Sequence, residues 1–198
     1  MKQYCSIFLV LFCISSFSQN FNGGLISGIA TSQVSGDNLG GYNKAGFLFG
    51  IYTQYPLSEI SNLQLEINYI EKGSNNPKMI ENNIPDISLS YLEIPLIFNY
   101  NQNEKMNFEF GIQSALLISS SDNDIIGPIN PINSIEFKKY DTGLLLGMSY
   151  LLNQKIALNT RISNSILPMR KHAEGNTYLF NKGQYNTVLS FSLKFIII

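Results

Sequence analysis

The chain has 198 residues, with 13 basic and 14 acidic side chains and a formal net charge of −1. That length suits a single domain, and the balanced charge provides no basic patch of the kind that binds nucleic acid. Beyond its first residues, the sequence contains no apolar run of the roughly 18 residues that a transmembrane helix needs. Such a chain can span a membrane only as a closed β-barrel, because lipid cannot satisfy the backbone groups of an open sheet.

The start of the chain has the features of a secretory signal peptide. Lys2 supplies a short positive region, residues 7–14 form an apolar stretch, and Ser16-Phe17-Ser18 is a small-x-small cleavage site. The apolar stretch is too short to span a bilayer as a helix. We therefore predict a cleaved signal peptide over residues 1–18 and a mature domain over residues 19–198.

Both cysteines lie inside this predicted signal. Cys13 resembles a lipoprotein cysteine, but it follows Phe12, at a position where lipoprotein signals have a small residue. We therefore interpret Cys5 and Cys13 as apolar parts of the signal, which are lost with it. The mature chain then has no cysteine, so it has neither a disulfide nor a thiolate metal site.

The rest of the chain alternates between apolar and polar residues, as strands do when successive side chains point to opposite faces. The alternation is clearest after residue 62, where an apolar set alternates with Gln64, Glu66 and Asn68; the apolar set is Leu63, Leu65, Ile67 and Tyr69. Most predicted strands have about 10–14 residues, a length typical of tilted membrane strands. The eight predicted strands lie near 23–34, 42–55, 62–73, 88–100, 106–119, 137–152, 155–165 and 184–197.

The connections between these strands alternate in length. The short ones contain turn formers such as Pro56, Asn103 and Asn153. Outer-membrane barrels have short periplasmic turns and longer external loops, and a periplasmic N-terminus places every connection accordingly. The pattern predicts an all-β fold, an eight-stranded antiparallel up-and-down transmembrane β-barrel. The short joins are 56–61, 101–105 and 153–154; the join at 35–41 is intermediate and Gly-rich; the long joins are 74–87, 120–136 and 166–183.

The polar phase of the predicted strands carries a nearly balanced set of charges. Balanced charges can pair inside a narrow barrel, so we expect this phase to line the lumen and the apolar phase to contact lipid. The alternative is a soluble periplasmic lipocalin-like binding barrel, whose apolar face points inward. We also expect interfacial girdles from Tyr69, Tyr100, Tyr150 and Tyr185, which lie near strand ends. The charged set is Lys44, Glu66, Glu93, Glu109, Lys139, Asp141, Arg161 and Lys194.

Three glutamates share this phase on consecutive strands, and unpaired carboxylates in a narrow interior would be costly. Arg161 is the best partner, because its planar guanidinium group can form hydrogen bonds with two carboxylates. We therefore predict that Arg161 lies within salt-bridge distance of at least one of the three. The alternative is a narrow polar conduit lined by the same residues. The predicted structural network in the lumen comprises Glu66, Glu93, Glu109, Asp141 and Arg161.

Residues with catalytic or metal-binding potential are few. His172 is the only histidine, and Glu174 alone near it does not make a metal site. Asp122-Asn123-Asp124 lacks an EF-hand pattern and is interpreted as an acidic turn. No G-x-S-x-G motif is present. We predict no catalytic residue, no cofactor and no metal site. Pro95 lacks a backbone donor, so we expect a bulge or irregularity in the fourth strand.

Short motifs carry a family resemblance. Leu63-Gln64-Leu65-Glu66 and Tyr91-Leu92-Glu93-Ile94-Pro95 resemble the second-hairpin signature of the PorT-like outer-membrane β-barrel family of Bacteroidota. The resemblance covers essentially the whole mature chain. It implies an eight-stranded barrel without catalytic residues, and the secretion role of one family member does not transfer with the barrel. Further similar positions are Tyr69, Lys72 and Gly73, and, in the first loop and second strand, Gly36, Asp37, Tyr42, Lys44 and Gly46.

We therefore expect a non-enzymatic, monomeric protein of the outer membrane with a structural or interaction role. Its expected partners are outer-membrane lipid and proteins that contact the external loops or periplasmic turns, and no nucleic acid. One alternative is a small porin-like channel, which needs an unfilled lumen. Another is an enzyme at the loop rim, which needs His172 beside a polar partner. The apolar residues of the long loops are Ile80, Ile84, Ile125, Ile126 and Ile129.

Overall fold

In a computed structural model, which describes residues 21–129, 135–171 and 183–197, the chain forms a closed antiparallel barrel. All eight predicted strands are present, and most have the alternation that lets one face be buried and the other exposed. The first strand is rich in Gly, Ser and Ala and shows no clear apolar phase. Strand ends differ from the prediction by a few residues. The strands are β1 (Asn22–Ser35), β2 (Lys44–Ser58), β3 (Ser61–Ser74), β4 (Asp86–Asn101), β5 (Met106–Asn123), β6 (Tyr140–Asn153), β7 (Ile156–Ser165) and β8 (Tyr185–Ile196).

The strands pair in chain order, and β1 pairs with β8 to close the sheet. That last pairing runs from Gly24 opposite Ile196 to Ser35 opposite Tyr185. Among the described strands, closure leaves no open sheet edge, as a β-sheet that spans lipid requires. The predicted eight-stranded up-and-down barrel is confirmed.

The two ends of the barrel differ in their connections. At one end, here called the turn end, Ser58 and Ser61 flank the β2–β3 turn, while the side chains of Asn103 and Asn153 each accept a backbone N–H at 2.9 Å in the next two turns. At the other end, the loop end, the connections are longer. One of them contains a short helix, α1 (Met79–Asn82), which the alternation did not predict.

No helix in the described ranges is long and apolar enough to cross a membrane.

The apolar phase faces outward and the polar phase faces the lumen. On β5, for example, Phe110 is 51% exposed and its neighbour Glu109 is fully buried. This direction contradicts the lipocalin-like alternative, in which the apolar side chains would point inward. The lumen also holds a buried apolar cluster, which includes Ile26, Leu48 and Val188. Side chains therefore occupy the interior, as expected for a barrel of only eight strands.

Two residues assigned to a face by sequence lie elsewhere. Tyr185 is only 3% exposed, so it is an interior residue and not part of an interfacial girdle. Because β8 begins with four successive buried residues, its loop end is covered on both faces and simple alternation fails there. Lys139 is exposed and precedes β6, which begins at Tyr140. It therefore does not line the lumen.

The irregularity expected in β4 takes a different form from a bulge at Pro95. Next to β3, the paired positions stop at Leu65 opposite Leu96 and resume at Asn68 opposite Glu93 without a change of register. Because proline has no N–H to donate, a gap in the ladder at this point is expected. The bulge in β4–β5 pairing lies instead at Ser90/Tyr91.

Candidate functional site

Arg161 on β7 lies at the centre of a charged cluster in the lumen. Its Nη1 and Nη2 atoms donate to the two carboxylate oxygens of Glu66 at 2.9 and 3.0 Å. Its Nε and Nη2 atoms also donate to Oε2 of Glu109, at 3.0 and 2.8 Å. From β7, one guanidinium thus hydrogen-bonds to two carboxylates, one on β3 across the lumen and one on β5, an arrangement that its planar geometry favours.

A second cation completes this cluster. Lys194 on β8 places Nζ 2.5 Å from Oε1 of Glu109, and Ser149 donates to the same oxygen at 2.9 Å. Glu66 accepts further hydrogen bonds from Gln64 and from Asn68, the latter at 2.6 Å. We call Glu66, Glu109, Arg161 and Lys194 the inner cluster. It contains two acids and two bases, so its charges balance.

A separate group of charges lies nearer the loop end. Lys72 on β3 places Nζ 2.7 Å from Oε1 of Glu93 and 3.6 Å from Oδ2 of Asp141. Ser165 and Asn186 donate to the same Asp141 oxygen at 2.9 and 3.1 Å. We call Lys72, Glu93 and Asp141 the outer cluster. It has two acids and one base.

The residues of the predicted network are therefore divided between two clusters. Glu66 and Glu109 contact Arg161, whereas Glu93 and Asp141 contact Lys72. From sequence, Lys72 is named only among the positions of the family resemblance and is not assigned to the network. The signal that identifies it is its phase, shared with Glu66, at the far end of the same strand.

Gly147 provides the space for the central ion pair. It lies on β6 directly opposite both Glu109 and Arg161 in the two adjacent ladders. A Cβ atom at this position would lie 2.8 Å from Oε2 of Glu109 and 3.1 Å from the carbonyl oxygen of Thr160. Any larger residue at this position would therefore displace the Glu109 carboxylate, so glycine leaves room for the salt bridge to cross β6.

Gly147→Ala is expected to destabilise the barrel by roughly 1–3 kcal/mol, because the added methyl overpacks the ion pair. Heat-modifiable migration on gels, measured over a urea series, reports the folded fraction. Gly40→Ala is the matched control, since a Cβ at Gly40 would contact nothing within 4 Å. Equal urea midpoints for the two variants would contradict this account of Gly147.

Arg170 ties the loops together above the clusters. Its Nη1 atom lies 2.7 Å from Oδ2 of Asp122, and its Nε donates to Gln184 at 2.5 Å. The guanidinium also lies 4.1 Å from the ring centre of Phe137. Gln184 in turn donates to the carbonyl oxygen of Gly36 at 3.2 Å. These contacts join three of the loop-end connections into one cap over the lumen.

Three aspartates of the loop end are paired, hydrogen-bonded or buried. Asp122 pairs with Arg170, and Asp124 accepts backbone N–H groups from Ile126 and Gly127 at 2.8 and 3.0 Å. Burial raises the pKa of the Asp37 carboxyl above the usual aspartate range. No group of three potential metal ligands occurs within the described ranges. His172 lies outside the described residues.

A cavity of about 480 Å³ opens at the turn end. Tyr52 and Lys194 line it where it approaches the inner cluster, and Gln54, Asn107 and Ser149 contribute polar groups to its wall. The polar cavity therefore extends from the turn end of the barrel to the inner cluster.

A family model described as the outer membrane protein beta-barrel domain matches residues 16–171. The chain belongs to this family. Members of the outer membrane protein beta-barrel domain family cross the outer membrane with their strands, so the exposed apolar phase of this barrel faces lipid. The turn end is accordingly periplasmic and the loop end external.

Solved outer-membrane proteins share the fold. Ail, the attachment invasion locus protein of Yersinia pestis, has a TM-score of 0.53 and 11% identity, with 89% of this chain and 98% of that chain covered. Neisserial surface protein A has a TM-score of 0.52 and 17% identity, with 88% and 96% covered. At such low identities the likeness shows the fold alone. Among curated proteins, no sequence matches this chain.

Proposed function

We propose that this outer-membrane barrel is a non-conducting, non-enzymatic scaffold that holds its external loops for contact with protein partners. The observation that carries the proposal is the filling of the lumen by paired charges. Arg161, Lys72 and Lys194 each bind carboxylates on other strands and are nearly or fully buried. The network of Glu66, Glu93, Glu109, Asp141 and Arg161 then has a structural role, because it cross-links the wall.

The geometry of the clusters supports a filled lumen over a pore. An eight-stranded barrel is only wide enough for side chains to fill it. Here the inner and outer clusters occupy successive levels, and the Arg170 cap lies above them. A small channel would need these ion pairs to open, which would leave buried charges without partners at a cost of several kcal/mol.

The external loops present ordered apolar residues. In the hairpin after β5, Asp124 and Gly127 exchange backbone hydrogen bonds at 2.9 and 3.2 Å, so the turn between them is fixed. Ile126 at its tip is 96% exposed, and Ile80 on α1 is 89% exposed. We infer that a protein partner covers these side chains, because a turn that is already fixed loses little conformational entropy on binding.

We further propose that the chain is exported with a cleaved signal over residues 1–18, that the barrel is monomeric, and that it belongs to the PorT-like outer-membrane β-barrel family of Bacteroidota. The support is the short apolar stretch before Ser16-Phe17-Ser18, the closed sheet with no free edge, and the Tyr91–Pro95 motif. The described charges also give no basic surface for nucleic acid.

Purified protein in planar bilayers is expected to give no resolved current steps in concentrated KCl, because the ion pairs block the lumen. A large porin inserted under the same conditions provides the positive control, and gel mobility of the recovered protein shows that it is folded. Reproducible stepwise currents from the wild-type barrel would favour the small porin-like channel instead.

A photo-crosslinking residue at position 126 is expected to trap a protein partner on intact cells. The same residue at position 102, in the β4–β5 turn at the periplasmic end, is the matched control and should give no such adduct. Identical adduct patterns from Ile126 and Gln102 would contradict a specific role for the external loops.

A further inference from the structure

The outer cluster carries one negative charge more than its single lysine can balance. Glu93 and Asp141 both lie beside Lys72, whose side chain is completely buried. Arg161 and Lys194 do not supply the missing charge, because they already neutralise the inner cluster. In an interior of low dielectric constant, an uncompensated carboxylate is costly enough to demand another cation or a proton.

Three oxygen atoms at the outer cluster also lack partners. Within the described residues, no hydrogen-bond partner is present for Oδ1 of Asp141, Oδ1 of Asn186 or the hydroxyl of Tyr91. These three residues are each no more than 3% exposed. Asn186 on β8 joins the three residues: it donates to the other oxygen of Asp141 on β6, and its side chain also lies beside the hydroxyl of Tyr91 on β4.

We propose that a monovalent alkali cation binds between Asp141, Asn186 and Tyr91 inside the lumen. One carboxylate oxygen, one amide oxygen and one phenolic oxygen coordinate the ion, and water completes its coordination shell. Oxygen ligands of this kind suit hard cations. A single positive charge balances the outer cluster, whereas a divalent ion would leave it positive.

The position of Lys72 fits this arrangement. Its Nζ approaches Oδ2 of Asp141, the oxygen that also accepts hydrogen bonds from Ser165 and Asn186. The opposite oxygen, Oδ1, is left for the ion. A water molecule alone could form hydrogen bonds with the three oxygens, but it would leave the negative charge unbalanced. The two possibilities therefore differ in whether the stability of the barrel depends on the cation of the salt.

Thermal unfolding in detergent micelles tests the site. We expect the Tm in NaCl or KCl to exceed that in choline chloride of equal ionic strength by about 3–5 °C, with saturation as the alkali salt is increased. Asp141→Asn removes the excess charge and should abolish the difference. Glu71→Gln is the matched control, because it removes an acid near the same end of β3 but on the outward phase; it should keep the full response.

Two further measurements keep the test decisive if Asp141→Asn folds poorly. Wild-type crystals soaked in a thallium(I) salt should show an anomalous peak within about 3 Å of Asp141 Oδ1. Asn186→Asp should shift the stabilising response from alkali ions towards Ca²⁺, because the site then has a further carboxylate. Equal Tm values in choline and alkali chlorides, together with no thallium peak, would overturn the proposal and show that water or a proton occupies the site.

Discussion

Arg161→Met is expected to lower the free energy of unfolding by roughly 3–5 kcal/mol, the usual cost of removing one partner from a buried ion pair. The variant keeps most of the side-chain volume but leaves Glu66 without a cation and Glu109 with Lys194 alone. The chain has no tryptophan. Urea unfolding in lipid vesicles is therefore followed by circular dichroism and by heat-modifiable migration on gels.

Two further variants separate charge from packing. Arg161→Met combined with Glu66→Gln should recover much of the loss, because the orphaned charge is removed. Lys78→Met should have no measurable effect, since Lys78 and Glu81 form an exposed pair at 3.8 Å. If the double variant is no more stable than Arg161→Met alone, the ion pair is not what stabilises the lumen.

The strands and the direction of their faces are accessible from sequence because both follow from local alternation. On β3, for example, Leu65 and Glu66 belong to opposite phases over the whole strand, and a one-residue slip would exchange them. The near balance of charges on the polar phase then decides which phase faces inward. The alternation is local, and the charge balance is a sum over the predicted strands, so neither inference needs to know which residues are in contact.

The division into two clusters is not accessible in this way, because it depends on how the strands are staggered. Glu66 and Glu93 share a phase on adjacent strands, but the β3–β4 register places Glu93 opposite Asn68. Glu93 therefore lies one alternation step nearer the loop end, beyond the reach of Arg161 and within that of Lys72. Stagger is a property of the closed barrel as a whole.

The loop end departs from the predictions for a related reason. Alternation holds where one face of a strand meets lipid, but the last residues of β3 and the first of β8 are covered on both faces. Contacts such as Arg170 with Asp122 join segments 48 residues apart and leave no periodic signal. The inward position of Tyr185 and the Arg170 cap are therefore features that only the three-dimensional arrangement reveals.

Phe110→Arg is expected to impair assembly far more than Gln113→Arg, although the two positions lie three residues apart on β5. Phe110 faces lipid, where an arginine near the bilayer midplane costs about 2–4 kcal/mol. Gln113 is buried in the lumen and donates to Oε1 of Glu93 at 3.4 Å. An arginine at position 113 therefore meets the outer cluster, whose side chains comprise two acids and one base, and gains a carboxylate partner.

The comparison is made by refolding both variants into vesicles and measuring the yield and the urea midpoint of the folded, heat-modifiable form. Phe110→Leu and Gln113→Met are the matched controls for size, and both should remain close to wild type. The expected order is that Phe110→Arg loses most of its folded yield while Gln113→Arg keeps it. The reverse order would mean that the apolar phase lies inside the barrel. The paired charges of Arg161 and Lys72 would then face the membrane, where exposure of charged side chains to lipid is costly.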